Sequence, residues 1–225
     1  MIKNILNLGD SSIYYDFGEQ INKETNKKVI SFFYSLKKAN LEEIINLTPS
    51  YNKLIVSFDL KKTNFIELKK KIEDIKTSNI DEQKNKKIEI PICCDEEFFL
   101  DKERLIKKLK LSAEEILEKY LNKSYFCYMT GFVAGMPFLG DISKELRTDR
   151  LKTPRVKVPE GSVGITEQFS NIYTFESPGG WNIIGKTPYK IFNSNNKANP
   201  VLINPGDNVH FFPISKNEFL KLDEK

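Results

Sequence analysis

An eight-residue pattern late in the chain has the composition of a phosphate-binding loop. The segment from Gly180 to Thr187 is G-x-x-x-x-G-K-T, a pattern in which glycines let backbone N–H groups surround a phosphate and a helix begins at the Lys-Thr pair. Here the four intervening residues are Trp-Asn-Ile-Ile, which favour a buried strand, and Pro188 removes a backbone donor where the helix would begin. The pattern therefore predicts a strand between two turns, not a nucleotide-binding loop.

A basic segment, residues 149–165, offers a second kind of chemistry. Arg150 and Arg155 lie in it close to Lys152 and Lys157, and the rigid fork of a guanidinium group suits a carboxylate or a phosphate. A solvated strand face is the structural alternative, and the charges alone leave both interpretations open.

A glycine-rich segment, residues 131–141, carries apolar side chains where a loop is expected. Phe132, Met136 and Phe138 stand among its glycines and a proline. Apolar side chains on such a loop either line a groove that takes a ligand or plug the end of a barrel.

The composition limits the classes of function. Hydrophobic residues make up 40% and charged residues 29% of the 225, and 35 basic against 31 acidic residues leave a net charge of +4. We therefore expect a soluble globular protein without a nucleic-acid surface. No apolar run approaches the ~20 residues of a membrane span, and nothing marks the chain for export.

Cysteine and histidine usage limits the site chemistry further. The three cysteines make no even disulfide framework, so a reducing cytoplasm fits best. His210 is the single histidine, so we expect no metal site of the Cys/His type. A Ser-His catalytic triad would have to use His210. An exposed position on a strand is the simpler explanation of this residue.

The first part of the chain predicts a small α+β domain over residues 1–80. Two short strands are followed by a helix whose apolar residues recur at i, i+3, i+4 and i+7, then by two strands and a second helix. That helix begins at Asn64, with Glu67 in the position of a capping partner. This order is typical of a split-βαβ sandwich. The charged segment that follows contains the linker, which we assign to residues 81–87.

The second part, residues 88–225, predicts a mainly-β domain. After an initial strand come two helices, the second capped by Ser112 and Glu115. Beyond residue 125, strand-like runs alternate with Gly/Pro turns, which is typical of an all-β barrel or sandwich. The runs are YFCYMTGF, RVKVP, SVGIT, NIYTF, WNIIG, VLINP and NVHFFPI.

Several of these segments together resemble the KipI family, whose members are also described as the B subunit of bacterial 5-oxoprolinase or as allophanate hydrolase subunit 1. The most specific are the G-F-x-x-G-x-P stretch from Gly131 and the S-P-G-G-W-x-x-I-G-K-T-P stretch from Ser177. The others are Gly9-Asp10, IPICCD (90–95), TPR (153–155), VPEGSVGI (158–165), IY (172–173) and PGD (205–207). The resemblance covers essentially the whole chain.

The resemblance implies a ferredoxin-like N-terminal domain and a cyclophilin-like β-barrel at the C-terminus. It also implies work in a complex, in which the chain pairs with a homologous C subunit and a separate A subunit completes the enzyme. The complex would hydrolyse 5-oxo-L-proline to L-glutamate at the expense of ATP, with Mg²⁺ accompanying the nucleotide. The chain alone would be inactive.

The implied reaction suggests roles for individual residues. Phosphorylating the lactam carbonyl oxygen would turn it into a leaving group, and such a step needs cations and N–H donors around the phosphoryl oxygens. We therefore assign Arg150 and Arg155 as a clamp and Glu176 as the nearest candidate base. The expected substrate- or phosphate-binding residues are Ser162, Ser177, Gly179, Gly180, Lys186 and Thr187, and the expected groove residues are Phe132, Phe138 and Trp181.

The sequence departs from the family pattern at positions that bear on chemistry. Tyr120 stands where relatives carry a histidine, and Ala134 and Asp149 replace prolines. Phe169 and Asn171 replace the Gln and Gly of a Q-T-G-I-Y stretch. A tyrosine titrates too high to replace a histidine simply, so these departures bear on catalytic competence more than on the fold.

Two other functions are open at this point. One branch of the family resembles inhibitors of sensor histidine kinases, which would dock through the cyclophilin-like domain. A groove lined by Phe132 and Phe138 would serve that role as well as catalysis. A stand-alone prolyl isomerase has only the fold analogy to support it.

Overall fold

The protein is described by a computed structural model that covers residues 2–75 and 86–223. Two compact units divide the chain, one within residues 1–84 and the other within residues 85–225. Of the predicted linker, residues 81–85 lie outside the described residues, and Lys87 already belongs to a strand.

The N-terminal unit is a four-stranded antiparallel sheet with two helices. Its sheet order is β1-β2-β4-β3, so that β4 lies between the two strands that α1 connects. Apolar residues of β2 and β4 pack against both helices in one core. The elements are β1 (Asn4–Asn7), β2 (Ser12–Asp16), α1 (Lys23–Ala39), β3 (Ile44–Pro49), β4 (Lys53–Phe58) and α2 (Phe65–Glu73).

Capping side chains set where these two helices begin and end. Asn22 accepts the N–H of Thr25 at the start of α1, and Asn40 ends that helix in the left-handed conformation. Asn64 begins α2 as predicted, because its side chain accepts the N–H groups of Ile66 and Glu67.

The C-terminal unit is mainly β and contains a seven-stranded sheet. Its order is β12-β9-β10-β7-β6-β13-β5, antiparallel throughout except for the pair β13–β5, while β8 and β11 form a separate antiparallel ribbon. The strands are β5 (Lys87–Ile92), β6 (Ser124–Thr130), β7 (Pro137–Gly140), β8 (Arg155–Val158), β9 (Ser162–Thr166), β10 (Phe169–Ile172), β11 (Ser177–Gly179), β12 (Asn182–Lys186) and β13 (Asn208–Pro213). The helices are α3 (Lys102–Leu109), α4 (Ala113–Leu121) and α5 (Lys216–Asp223).

The two edges of the seven-stranded sheet meet at one point. Cys93, the residue after β5, exchanges backbone hydrogen bonds of 2.8 and 2.9 Å with Lys186, the last residue of β12. Because β5 and β12 are the outermost strands at opposite edges, the sheet curls into a half-barrel. The predicted mainly-β fold is confirmed in this curled form.

Helices α3 and α4 supply part of the core of this unit. Leu105 of α3 and Ile116 of α4 are fully buried in the same apolar cluster as the sheet residues. The predicted capping box at the start of α4 is present, with Ser112 and Glu115 bonding each other's backbone N–H groups. No helix among the described residues is long and apolar enough to cross a membrane.

Three predicted elements differ from the structure. The segment expected as a glycine-rich loop contains β7, which is a strand because it pairs with both β6 and β10. Strand β10 ends at Ile172, the second residue of the predicted NIYTF run. The predicted VLINP strand is wrong, since it makes only a single bridge, between Phe192 and Val201. The predicted strand in the G-K-T segment is confirmed as β12, and no helix follows it directly.

Candidate functional site

Arg155, the first residue of β8, forms an ion pair with a buried carboxylate. Its Nη2 donates to Asp101 Oδ1 at 2.8 Å, and the Asp101 side chain is 5% exposed. The other oxygen of Asp101 accepts the N–H of Ile183 at 2.6 Å. Asp101 is also the N-cap of α3. The carboxylate therefore fixes the guanidinium group relative to both α3 and β12.

Arg150 lies over an aromatic pair. Its guanidinium carbon is 5.8 Å from the centroid of the Trp181 ring, within the range of a cation–π interaction. The indole packs edge-on against Phe138 with 5.7 Å between ring centroids. Arg150 is exposed and Trp181 is buried, so the cation covers the aromatic pair on its solvent side.

The hydroxyl of Tyr173 is affected by the charges of both arginines. A Cβ at Gly179 would overlap this hydroxyl, so glycine is needed where the phenol packs against β11. Burial raises the pKa of Tyr173, while hydrogen bonds from the Asn171 side chain and the backbone N–H of Trp181, and the charges of the two arginines, oppose that rise. The phenol is therefore neutral near pH 7, with hydrogen-bond donors around its oxygen.

Asn171, one residue before the end of β10, is buried close to Tyr173. Its Nδ2 is 3.6 Å from the sulfur of Met136, and among the described residues its Oδ1 has no hydrogen-bond partner. The Nη1 of Arg155 is likewise buried and without a partner within the described chain. One buried acceptor and one buried donor thus have no hydrogen-bond partner among the described residues.

Three of the predicted phosphate-binding residues lie at the opposite end of β12. Lys186 is the register partner of Ser162, and Thr187 follows directly. The Lys186 ammonium is 5.9 Å from the ring centroid of Phe98 and 5.5 Å from that of Phe219. The start of β12, next to Trp181 and Arg150, is about 15 Å from Lys186 along the strand. The structure therefore does not bring Lys186 to the arginines.

The other predicted residues of the loop and of β11 have different surroundings. Glu176 is exposed and pairs with Lys157 at 2.7 Å. Ser177 is buried, and its Oγ donates to the backbone carbonyl of Phe175 at 3.2 Å. Gly180 has room for a side chain, because a Cβ there would lie 3.6 Å from the nearest atom.

The predicted groove residues are separated by the turn before β7. Phe138 and Trp181 contact each other, as described above. Phe132 is 73% exposed and adopts a left-handed conformation with φ of 69°. Phe132 is therefore largely exposed to solvent, whereas Met136, the third apolar side chain named in residues 131–141, is buried.

Tyr120, at the family's histidine position, is a core residue. Its hydroxyl is 2.7 Å from Ser170 Oγ, and its ring stacks on Tyr125 with 4.9 Å between centroids. Burial raises the pKa of Tyr120 well above its ordinary value. This hydroxyl therefore keeps its proton near neutral pH and does not act as a base there. Ser170 and Asn171 point to opposite faces of β10, so Tyr120 lies on the other side of the strand from Asn171.

Sequence reasoning missed Asp101, which pairs with Arg155, and the two buried neighbours Asn171 and Tyr173. Asp101 begins a Lys/Glu-rich helix, a composition typical of solvated surface, and only its N-cap position signals a special role. Asn171 was noted as a departure from glycine, without a role. Among the described residues, no cluster of three or more His, Cys, Asp or Glu side chains could hold a metal ion.

Comparison with known proteins identifies relatives that match nearly the whole chain. A family model described as "Carboxyltransferase domain, subdomain C and D" matches residues 3–203. The B subunit of 5-oxoprolinase from Bacillus subtilis is 34% identical in an alignment 225 positions long, gaps included, that covers 94% of this chain and 93% of the relative. The protein of the same name from Haemophilus influenzae is 31% identical over 92% of this chain and 96% of its own length.

Solved structures show the same similarity in three dimensions. The conserved uncharacterized protein PH0987 from Pyrococcus horikoshii is 36% identical and matches 96% of this chain and 100% of its own, with a TM-score of 0.58. TTHA0988 is 27% identical, with a TM-score of 0.81 over 92% of this chain. The chain spans only 40% of TTHA0988. From the family match and the two relatives above 30% identity, the chain belongs to the carboxyltransferase-domain family, subdomain C and D, together with the B subunits of 5-oxoprolinase.

Proposed function

We propose that this chain is the B subunit of an ATP-dependent 5-oxoprolinase, which opens 5-oxo-L-proline to L-glutamate together with A and C subunits. The observation that carries the proposal is the full-length similarity to two proteins named as B subunits of 5-oxoprolinase, each matched over more than nine-tenths of its length. Nothing in the fold or in the comparisons favours the kinase-inhibitor alternative.

The arginine neighbourhood supplies the chemistry that such a subunit needs. ATP, when bound by the complex with its Mg²⁺, supplies the phosphoryl group that makes the lactam oxygen a leaving group. In this chain Arg150 is exposed, and Arg155 has one NH₂ group held by Asp101 and one without a hydrogen-bond partner in the described part of the chain. This donor set fits an anionic group, either the substrate carboxylate or a phosphoryl group, and we assign that role to both arginines.

A partner subunit has to contribute the remaining groups in this proposal. Glu176 is engaged by Lys157, and the predicted phosphate residues around Lys186 lie apart from the arginines. The G-K-T segment forms a strand, so the nucleotide must be held by other geometry. These features fit a subunit that holds the anionic part of the substrate and is inactive alone.

The fold of each unit is also part of the proposal. In the N-terminal unit, β1 occupies the place next to β2 that the last strand of a ferredoxin-like fold would take. We therefore propose a ferredoxin-like domain with a permuted edge strand, followed by a cyclophilin-like half-barrel. A cytoplasmic location and the pairing with a homologous C subunit follow from the proposed reaction.

Reconstitution tests the proposal directly. The chain is mixed with the A and C subunits encoded in the same genome, and glutamate release and ATP hydrolysis are measured with 5-oxo-L-proline present or omitted. We expect release that requires ATP and all three subunits. A mixture that shows no ATP hydrolysis dependent on 5-oxoproline contradicts the proposal, provided that each subunit is folded by circular dichroism.

A further inference from the structure

The positive charge of the chain is concentrated in residues 147–157. This segment holds five basic residues and one acidic residue, a surplus that equals the net charge of +4 of all 225 residues. Basic and acidic residues therefore balance over the remainder of the chain, and an acidic partner is drawn to this segment. Arg155 is half-buried, and the other four cations are exposed: Arg147, Arg150, Lys152 and Lys157.

Exposed apolar side chains accompany this charge. Val156 lies inside the segment and is 81% exposed, the highest value among the large hydrophobic side chains of the described residues. Phe132 is 73% exposed and Phe175 is 41% exposed. We call Phe132, Val156 and Phe175 the apolar triad. Single exposed hydrophobic residues are common on soluble proteins, so the triad matters only if its members belong to one surface.

One buried cluster anchors the apolar triad. Val158 and Tyr173 are members of this cluster, and each lies two positions along the chain from a residue of the triad. Val133, which is adjacent to the third residue of the triad, packs against the same cluster. The Thr174 hydroxyl donates to the carbonyl of Ala134 at 2.7 Å, which ties the segments of the two phenylalanines together. The three exposed side chains therefore project from segments that share one packed core.

The same cluster reaches the candidate site. Phe138 packs against it and contacts the Trp181 ring, over which Arg150 lies. Arg150 and Arg155 also belong to the basic segment. A protein that covers the apolar triad and the exposed cations would therefore stand next to the arginines, where it can supply groups that this chain lacks.

Protection of a strand edge explains only part of the segment. In the described part of the chain β8 pairs with β11 alone, its pairing contains a register shift, and Pro154 precedes it. Short strands, lysines, prolines and bulges discourage another chain from adding a strand at such an edge. An exposed Val156 adds nothing to this protection, for which charged side chains serve. The segment is therefore suited to side-chain contact with a partner and not to backbone pairing.

We propose that the apolar triad and the exposed cations of residues 147–157 form the docking face for the homologous C subunit of the proposed complex, which meets it with an apolar centre and an acidic rim. Interfaces place apolar contacts at the centre and polar groups at the rim, and opposite charges speed association. The identity of this occupant rests on the proposed function. In TTHA0988 the matching region is 40% of a longer chain, so the similar half-barrel there is joined covalently to further protein.

Two other occupants fit the docking face less well. A second copy of this chain would bring two basic segments together across an isologous contact, and like charges there oppose binding. A single-stranded nucleic acid would need aromatic rings on which its bases stack, whereas the most exposed apolar residue of the face is the aliphatic Val156.

Binding of the C subunit tests the docking face. The full-length chain is immobilised, and the purified C subunit encoded in the same genome is the analyte in surface plasmon resonance. We expect Val156→Asp to raise the Kd about tenfold or more, because it places an anion at the apolar centre beside an acidic rim. Lys152→Glu should slow association about threefold to tenfold, and added salt should weaken binding of the parent.

Matched substitutions in the N-terminal unit serve as controls. Ile66 is 76% exposed on α2, so Ile66→Asp makes a similar chemical change at similar exposure. Lys70 is exposed on the same helix, so Lys70→Glu repeats the charge reversal. Neither control should change the Kd by more than about twofold. All four positions are exposed, so each variant should keep the Tm of the parent. On irradiation, p-benzoylphenylalanine in place of Phe132 should cross-link to the C subunit, whereas the same residue in place of Ile66 should not.

The outcomes separate this inference from the proposed function. Weaker binding in Val156→Asp and Lys152→Glu, with both controls unchanged, supports the inference even if the reconstituted mixture releases no glutamate. Unchanged binding in these two variants, or an equal loss in the controls, overturns it even if the mixture is active. Failure of the C subunit to bind the parent chain also overturns it. So does self-association of the parent, or its binding to a single-stranded RNA of about 20 nucleotides, if Val156→Asp and Lys152→Glu abolish that contact.

Discussion

Arg155 and Asp101 are 54 positions apart in the chain, and the arginine Nη2 donates to the buried carboxylate at 2.8 Å. Asp101 is itself fixed by the N–H of Ile183. A helix start, a sheet strand and the ribbon β8–β11 thus share one carboxylate, which sets the direction of the guanidinium group. Because Asp101 holds Nη2, the other N–H donors of the Arg155 guanidinium group are held in position as well.

Removing the Asp101 charge should weaken both stability and activity. In Asp101→Asn the guanidinium keeps its burial but loses its ion-pair partner, so we expect a loss of about 2 kcal/mol in the free energy of unfolding. The kcat/KM for 5-oxoproline in the reconstituted complex should fall about tenfold, chiefly through KM. Urea unfolding and initial rates measure the two effects. Glu97→Gln, which breaks the exposed pair with Lys216, should change neither noticeably, and equal effects of the two substitutions would contradict the argument.

Gly179 and Gly180 are neighbours with opposite tolerance for a side chain. A Cβ at Gly179 would overlap the Tyr173 hydroxyl, whereas one at Gly180 would lie 3.6 Å from Pro154. Gly179→Ala should therefore cost about 1–3 kcal/mol of stability, and Gly180→Ala should cost clearly less. Thermal unfolding of the two variants side by side checks this. An equal loss in both would mean that backbone conformation, not the phenol, requires the glycines.

The N-terminal unit carries a pH-sensitive contact. A hydrogen bond from Lys53 holds the pKa of Asp16 below its ordinary value, assisted by the N–H of Gly18. The stabilisation is therefore fully present above about pH 4 and is lost as the pH falls through the lowered pKa of the folded state. Asp16→Asn should be less stable than the parent at pH 7, and the difference should shrink in strong acid. Urea unfolding at a series of pH values measures this, and a constant difference would contradict it.

Lys186 offers a test of the G-K-T segment. Its ammonium lies over Phe98 and Phe219, and no phosphate-binding helix follows it directly. In the reconstituted complex, Lys186→Met should leave the KM for ATP unchanged within about twofold, whereas loss of a true P-loop lysine removes a contact to the β- and γ-phosphates. A rise of tenfold or more would show that the segment holds nucleotide after all. Arg150→Met is the matched substitution, for which we expect weaker 5-oxoproline binding.

Much of the architecture was predictable because local signals agreed with the fold. Capping residues at Asn64 and Ser112 marked helix starts, and β-branched runs marked β9 and β12. Strand β7 was missed because its glycines and proline are typical of loops, while its pairing on both sides is a long-range property. The site was harder for the same reason. Asp101 gains its role only from Arg155 and Ile183, which are distant in sequence, and a surface-like helix start gives no local sign of it.

The pairing of β5 with β13 has a consequence for how the protein is made. Glu89 and His210 lie 121 positions apart and contact each other across these parallel strands, so β5 has no partner strand until β13 has been synthesised. The N-terminal unit, whose strands pair over short separations, can form during synthesis. The half-barrel must assemble afterwards. Until then the apolar strand β5 lacks its partner strand, and it avoids aggregation only if folding is fast or a chaperone binds it.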